Sequence, residues 1–285
     1  MRKNKKINIK ELAKKLGLSV SSVSRALNGY DNISQQTKDK IFKTAKKYNY
    51  FPDLNARRLA SKKTDTIAFI SSIDPEAPDH VVLQFLAGIT LGIKNTNTEL
   101  ITKFCLNEDE EMNYFKKLIS TGQADKFIFY KIKKNDERVT FLNERGIKFV
   151  TWGRTNKQKD HAWIDLDNKK SIELLMNKLS NNGHKRIAFI NVHRSFNYGA
   201  QRKVAYEGSV KNLQLQFSNE YYQDSLIETV ESGSALTSYL LGLKKPPTAI
   251  ICSHLRFFTG CLLKCQDLKL DIGHDISVVG FNDQD

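Results

Sequence analysis

Residues 9–28 read IKELAKKLGLSVSSVSRALN, a stretch with the pattern of two short helices joined by a tight turn. The apolar side of the first helix repeats at i, i+3, i+4 and i+7, at Ile9, Leu12, Ala13 and Leu16. Gly17 ends this helix, because glycine readily takes the positive φ of a helix C-terminus. Ser19 is a natural N-cap for the second helix, whose buried side is predicted at Val23, Ala26 and Leu27. Two helices around a glycine turn predict a helix-turn-helix.

A third helix follows in the sequence and completes a small core. Its N-cap is Ser34, and it ends before Pro52, since proline cannot continue a helix. Its buried side is predicted at Ile41, Ala45 and Tyr48. We therefore expect residues 1–52 to form an all-α headpiece.

Positive charge is concentrated in the same part of the chain. Residues 1–63 hold 17 lysines and arginines against four acidic residues, a net charge of +13 out of +14 for the whole chain. A charge run alone is typical of a solvated basic tail. The helical pattern argues against a tail, because a compact basic module ahead of a nearly neutral body is typical of nucleic-acid-binding proteins.

Several spaced motifs in this segment resemble the lac repressor/galactose repressor (LacI/GalR) family. They are residues 9–28, ISQQTK at 33–38, YNYFP at 48–52 and NARRLA at 55–60. The resemblance implies that Val20, Ser21 and Arg25 read base edges in the major groove. It also implies phosphate or backbone-bracing contacts for Ser19, Ser24, Asn28, Ser34, Thr37 and Tyr50. Ser22 is counted among the DNA contacts, and a solvent-facing helix residue is the alternative.

Residues 53–63 are predicted to form a hinge. The segment is too short to be a stable helix on its own in water. The resemblance implies that it folds only when two copies pair in the minor groove, where Leu59 wedges between base steps and kinks the duplex. Arg57 and Arg58 would add phosphate contacts. The matching motif also places Asn55 and Ala60 among the predicted DNA contacts.

From residue 64 onward, short apolar runs alternate with helical patterns, which predicts parallel, doubly wound sheets. Strands are predicted at residues 66–71, 99–105, 126–130, 148–152, 162–165, 186–191, 248–252 and 277–281. Helices are predicted at 82–96, 108–120, 136–145, 168–182, 200–212 and 230–241. Because residues 64–285 exceed one usual domain, we expect two α/β lobes of the periplasmic-binding-protein type. The first should end near Asp160 and the second begin near Ala162.

Other classes of protein find little support in the sequence. It has no run of about 18 apolar residues for a membrane span and no apolar core of a secretion signal. The four cysteines are interpreted as reduced core residues, with a metal site at Cys261 and Cys265 as the alternative. Neither GxxxxGK[ST] nor GxGxxG after a strand occurs, and the histidines are scattered. We therefore expect a cytoplasmic protein that is not an enzyme and uses no cofactor or metal.

The second lobe also resembles the family, at residues 182–190 and 199–206. Ligands of open α/β sheets bind beyond the carboxyl ends of the strands, which points to a cleft between the lobes. The resemblance implies that Arg202 reaches into this cleft, where its planar head suits two adjacent oxygens of a sugar, or a purine. A surface arginine on a helix is the alternative.

Other segments of the predicted cleft depart from the family pattern or match only one branch of it. His254-Leu255 stands where Asn-Asp is usual, and Asn282 where Asp is frequent. Trp152-Gly153-Arg154 resembles the branch that senses glucosides, although Trp152 fits the core equally well. The predicted effector contacts are Ser72, His80, Trp152, Arg154, Arg202, His254 and Asn282.

These patterns predict a DNA-binding transcription regulator, expected to be a repressor, that binds palindromic double-stranded operator DNA as a homodimer and responds to a sugar or glycoside. One alternative is a nucleic-acid-modifying hydrolase with a basic arm, which requires an acidic or metal cluster. Another is a truncated DNA-binding protein that has lost its effector response. The family runs several dozen residues past the strand at 277–281, so we expect an incomplete C-terminus that leaves apolar surface of the first lobe exposed.

Overall fold

The computed structural model describes residues 7–27, 30–51, 64–73, 80–157 and 161–281. The chain divides into two compact units, Met1–Thr64 and Asp65–Asp285. Each unit has its own buried apolar core. No helix among the described residues is long and apolar enough to cross a membrane.

The first unit is a headpiece of three helices, α1 (Ile9–Leu16), α2 (Val20–Leu27) and α3 (Gln35–Lys47). Gly17 follows α1 with a φ of 66°, as predicted. A capping box that the sequence analysis did not identify starts α1: Asn8 Oδ1 accepts from the Glu11 amide at 3.0 Å, and Glu11 Oε2 accepts from the Asn8 amide at 3.1 Å. These two hydrogen bonds satisfy backbone amides at the start of α1 that have no acceptor within the helix.

The core of the headpiece is formed by the apolar faces of all three helices. Its buried residues are Leu12, Ala13, Leu16, Val23, Ala26, Ile41 and Ala45. Tyr50 and Leu27 pack against them from the edge and are half-buried. The predicted helix-turn-helix is therefore confirmed, and so are the predicted core faces except at Tyr48, which is the half-buried C-cap of α3 and lies outside this cluster.

The second unit begins with a five-stranded parallel sheet, which forms the first lobe. Its strands are β1 (Thr66–Ser72), β2 (Glu99–Cys105), β3 (Lys126–Phe129), β4 (Lys148–Trp152) and β5 (Ala162–Ile164), in the order β2-β1-β3-β4-β5. Its helices are α4 (His80–Ile93), α5 (Glu108–Ser120) and α6 (Glu137–Glu144). One apolar cluster includes Phe115 of α5 and Phe127 of β3, and a second includes Phe69 of β1 and Val82 of α4. Apolar residues on both faces are typical of a buried parallel sheet.

A four-stranded parallel sheet forms the second lobe. Its strands are β6 (Ile187–Val192), β7 (Tyr222–Ser225), β8 (Ala249–Cys252) and β9 (Ser277–Gly280), in the order β7-β6-β8-β9. Its helices are α7 (Asn168–Asn181), α8 (Asn197–Asn212), α9 (Val230–Leu241) and α10 (Leu255–Asp267), with a 3-10 turn at Asn219–Tyr221. Helices α9 and α10 pack very closely: a Cβ added to Gly260 would lie 2.1 Å from the Val230 carbonyl oxygen.

The structure corrects the predicted boundary between the lobes. The second lobe was expected to begin near Ala162, but β5 pairs with β4 in the first sheet, Val150 opposite Ala162. The second lobe therefore begins with α7. Strand β7 was not predicted, because its sequence YQDS is short and polar and shows no alternation of apolar residues. The other strands and the six predicted helices of the body lie within three residues of their predicted ends, and α10 had no predicted bounds.

Candidate nucleic-acid interface and effector cleft

The start of α2 presents small polar side chains on an exposed surface. Ser19 accepts a hydrogen bond from the Ser22 amide at 3.0 Å, which caps the helix. Its hydroxyl also lies 2.8 Å from the hydroxyls of Ser21 and Ser22. Val20, Ser21 and Arg25 are exposed, whereas Ser22 and Ser24 are half-buried. The three residues predicted to read bases thus share the accessible face of α2.

The other predicted DNA contacts in the headpiece lie at the ends of α3. Ser34 caps the helix, since its hydroxyl accepts from the Thr37 amide at 3.4 Å and lies 2.9 Å from the Thr37 hydroxyl. The Tyr50 amide donates to the Ala45 carbonyl at 2.9 Å beyond the C-terminus of α3. The predicted contacts Asn28, Asn55, Arg57, Leu59 and Ala60, together with Arg58 and the hinge as a whole, lie outside the described residues.

Arg202 of α8 is buried, with 7 % of its surface exposed. Its Nε donates to Asn168 Oδ1 at 2.9 Å, and its Nη1 donates to the Ser253 carbonyl at 3.2 Å. The guanidinium lies over two rings, 4.4 Å from the centre of Phe281 and 5.3 Å from that of Tyr198. The alternative of a surface arginine is therefore wrong, and the predicted contact is a fixed group at the carboxyl end of β8.

Arg154 follows β4 in the first lobe and is linked to the same region. Its Nε lies 3.3 Å from Asp165 Oδ2, and its Nη2 donates to Gln201 Oε1 at 3.1 Å. Asn168 donates to Asp165 Oδ1 at 3.2 Å. Burial raises the pKa of Asp165, although Arg154 favours its charged form. Neither Asp165 nor Gln201 was predicted as a partner of these arginines, because no local pattern in the sequence pairs them.

Trp152 packs into an aromatic cluster of the first lobe. Its ring stacks on Phe85 at 5.3 Å and lies 6.3 Å from the ring of Tyr130, measured between centroids. Residue Ser72 ends β1, and its amide donates to Glu111 Oε2 at 3.2 Å. Among the described residues, none of the hydrogen bonds and ring contacts above joins Trp152 or Ser72 to Arg154 or Arg202. The role of Trp152 and Ser72 as effector contacts therefore stays a prediction.

His254 caps α10 and belongs to a charged cluster that joins the lobes. Its Nε2 lies 3.9 Å from Glu228 Oε2, and Lys131 Nζ of the first lobe donates to the same oxygen at 2.9 Å. Arg256 donates to the Glu228 carbonyl at 3.0 Å. Burial opposes the charge of Glu228, but Lys131, His254 and Arg256 outweigh it and lower the pKa of the carboxyl. The ion pair between Lys131 and Glu228 thus connects the two lobes directly.

A cavity of about 1130 Å³ opens at the carboxyl ends of β1 and β3. Its wall includes Ser72, Glu111, Asp136, Arg138 and, from the second lobe, Phe196. Arg138 donates to Glu111 Oε1 and to Asp136 Oδ2, both at 2.7 Å. Burial opposes ionisation of Asp136, but its bonds with Arg138 outweigh burial and lower the pKa of the carboxyl. Of the predicted effector contacts, Ser72 lines this cavity.

The remaining predictions are the effector contacts His80 and Asn282 and the reduced state of the four cysteines. His80 begins α4, but its side chain, like the whole of Asn282, lies outside the described residues. All four cysteines are buried and reduced. Within the described ranges, no group of three or more His, Cys, Asp or Glu side chains could hold a metal ion.

The chain is similar to known families over both units. Residues 8–53 match the family "Bacterial regulatory proteins, lacI family", and residues 176–285 match "Periplasmic binding protein-like domain". The curated regulator AglR of Rhizobium meliloti (strain 1021) is 29% identical over 97% of this chain and 78% of its own length. ExuR of Bacillus subtilis (strain 168), a probable HTH-type repressor, is 28% identical over 97% of this chain and 82% of its own.

Solved structures agree with these sequence matches. A regulatory protein of the LacI family from Chloroflexus aggregans is 28% identical, with a TM-score of 0.69 over 77% of this chain and 79% of its own. The lac repressor dimer bound to operator and the anti-inducer ONPF has a TM-score of 0.83 over 98% of this chain and 83% of its own. At 19% identity, this second likeness shows the fold alone.

Proposed function

Because the chain belongs to the lacI family of bacterial regulatory proteins, and so is a transcription regulator rather than an enzyme, we propose that a small molecule in its body controls its binding to operator DNA. We assign DNA binding to residues 1–52, a hinge to residues 53–63, and effector binding and dimerisation to residues 64–285. Repression is the most direct mode of action, since a protein seated on an operator excludes other proteins from it. Binding to operator DNA supports a cytoplasmic location, which is part of the proposal.

The accessible face of α2 carries the proposal for DNA recognition. Arg25 is exposed there and can donate two hydrogen bonds to the O6 and N7 of one guanine, a contact worth about 1–3 kcal/mol of discrimination. Val20 offers a methyl surface to thymine, and the serine hydroxyls at the helix start suit phosphate. The net charge of +13 on residues 1–63 supplies the attraction to the backbone.

A homodimer on a palindromic site is the second part of the proposal. The lac repressor neighbour is a dimer on its operator, and two headpieces one helical turn apart would read two half-sites. In this arrangement the Leu59 side chains from both hinges wedge the central base step. Support for the hinge comes from the sequence resemblance, since residues 53–63 lie outside the described part of the chain.

The proposed effector is a sugar or glycoside bound at the carboxyl ends of the strands, near Arg154 and Arg202. One structural neighbour is a complex of the transcriptional regulator CelR with cellobiose, and another is the lac repressor bound to ONPG. The guanidinium of Arg202 donates to Asn168 Oδ1 and to the Ser253 carbonyl, and its planar head suits adjacent hydroxyl oxygens. Ser72, His80, Trp152, His254 and Asn282 complete the proposed contacts.

Selection of DNA sites from a random pool tests the proposal for recognition. The full chain should select a palindrome, and Arg25→Ala should lose preference for one guanine per half-site. Lys46→Ala, which removes an exposed charge from α3, is the control and should weaken binding to all sequences alike. Unchanged base preferences in Arg25→Ala would remove Arg25 from the residues that read bases.

A second candidate is a DNA-binding protein that has lost its effector response. The departure from the family pattern at His254 and Leu255, and the ion cluster that His254 forms with Glu228, favour it. Calorimetric titration of the full chain with a panel of disaccharides that includes cellobiose separates the two. Binding of one sugar with a change in operator affinity supports the regulated protein, and no response to any member of the panel supports the unregulated one.

A further inference from the structure

A continuous line of polar contacts runs from Arg154 in the first lobe to Arg202 in the second. Arg154 Nε lies 3.3 Å from Asp165 Oδ2, and Asp165 Oδ1 accepts from Asn168 Nδ2 at 3.2 Å. Asn168 Oδ1 in turn accepts from Arg202 Nε at 2.9 Å. Four side chains from two loops and two helices are therefore linked end to end.

The chemistry of the neighbours fixes the orientation of the Asn168 amide. An arginine can only donate, and an ionised carboxylate can only accept. The oxygen of Asn168 must therefore face Arg202, and its nitrogen must face Asp165. The same nitrogen also donates to the Leu166 carbonyl at 3.1 Å, so turning the amide over would break all three bonds. Asn168 is 2 % exposed, so water cannot replace the lost partners.

We propose that Asp165 and Asn168 are positioning residues that couple Arg202 to Arg154, so that displacement of either arginine is transmitted to the other across the two lobes. The inference rests on the proposed function in that it makes Arg202 a contact of the effector. A sugar that engages Arg202 would then disturb Asn168, Asp165 and finally Arg154. Displacements are transmitted in this way because buried polar groups in one hydrogen-bond network depend on one another's positions.

A second contact between the same regions offers a matched control. Arg154 Nη2 donates to Gln201 Oε1 at 3.1 Å, and Gln201 precedes Arg202 on α8. This hydrogen bond links Arg154 to α8 but does not involve the Arg202 guanidinium. Gln201→Met therefore removes a hydrogen bond of Arg154 without touching the line through Asn168.

The test is hydrogen exchange at the arginine Nε–H groups, followed by NMR on the full chain labelled with ¹⁵N-arginine. In the wild-type protein, the Arg202 Nε–H should exchange slowly, because it is buried and bonded to Asn168. Asn168→Leu identifies the signal, since it removes the acceptor. Asp165→Leu removes one of the two acceptors of Asn168 Nδ2 and leaves the Leu166 carbonyl as the other, and it should raise the exchange rate of the Arg202 Nε–H by about tenfold.

Two more variants complete the design. Arg154→Met removes the first-lobe end of the line of contacts and should also raise the hydrogen-exchange rate of the Arg202 Nε–H. Gln201→Met should leave that rate unchanged. If Asp165→Leu fails to give a cooperative thermal melt, Asp165→Asn keeps the shape and removes the charge, and it should shift the rate in the same direction. Arg202 rates within about twofold of wild type in the Asp165 and Arg154 variants would overturn the coupling.

This experiment uses neither DNA nor a sugar. A negative result would therefore leave the proposed regulator intact and remove only the coupling. Conversely, a positive exchange result combined with no response to the sugar panel would keep the line of contacts and reject the assigned effector. Comparable melting temperatures for Asn168→Leu and Gln201→Met would show that the Arg202 signal reports more than general loosening.

Discussion

The two lobes hold a buried arginine near the carboxyl ends of their strands in different ways. Arg138 of the first lobe is bonded to two carboxylates, Glu111 and Asp136, and to the carbonyls of residues 130 and 131. Arg202 of the second lobe is bonded to a neutral amide and a carbonyl and lies over two rings. The first arrangement pairs the guanidinium with two buried carboxylates, whereas the two hydrogen bonds described above for Arg202 go to the neutral oxygens of Asn168 and the Ser253 carbonyl.

This difference separates a structural arginine from one suited to a ligand. The carbonyls that Arg138 binds belong to the loop after β3. The same loop contains Lys131, which forms the ion pair with Glu228 of the second lobe. The first-lobe network thus shapes a loop that contacts the second lobe. We propose Arg202 as the ligand contact, because a planar guanidinium can donate to two adjacent ligand oxygens.

The largest effect should come from breaking the first-lobe network. Arg138→Met leaves two carboxylates buried without their cation, and removal of one partner of a buried ion pair typically costs about 3–5 kcal/mol. We expect a loss of this size in the free energy of unfolding measured with urea. Arg145→Met is the control, because the ion pair of Arg145 with Glu144 is exposed. Equal losses in the two variants would refute the structural role of Arg138.

The same network predicts a dependence on pH. The pKa of Asp136 is lowered in the folded chain, so its contribution to stability is complete above the unfolded value, near 3.8, and is lost as the pH falls through the folded value. Asp136→Asn keeps a good N-cap for α6 and removes the charge. The difference in unfolding free energy between wild type and this variant should shrink as the pH falls below about 4. A constant difference from neutral to acidic pH would contradict the ionic role.

A smaller effect should follow from loosening the contact between the lobes. Glu228→Gln removes the charge that Lys131 binds at 2.9 Å and should cost about 1–2 kcal/mol, since the pair is only partly buried. Exchange of the Asn197 amide, which donates to the Ile132 carbonyl across the lobes, should also become faster. Glu108→Gln, at the more exposed pair with Lys133, is the control and should change neither quantity measurably.

The periodicity of apolar residues predicted most helices and strands. It could not predict contacts between residues that are far apart in the sequence. Helices α1, α5 and α9 follow apolar spacing that is local to each segment, so their ends could be predicted. The assignment of β5 to the first sheet depends on pairing with β4, which no local pattern encodes. Arg202 was identified through its motif, but Asp165 and Glu228 are acidic residues in loops without a motif. The partner of Glu228, Lys131, is 97 residues away in the sequence.

A single titration measures whether a sugar at Arg202 controls DNA binding by the headpiece. The affinity of the full chain for its selected palindrome is measured by fluorescence anisotropy, with and without the panel sugar that binds in calorimetry, for wild type and Arg202→Ala. We expect the sugar to change the wild-type affinity about tenfold, a coupling of the usual size, and to leave that of the folded variant unchanged. An equal change in both proteins would show that the sugar does not act through Arg202.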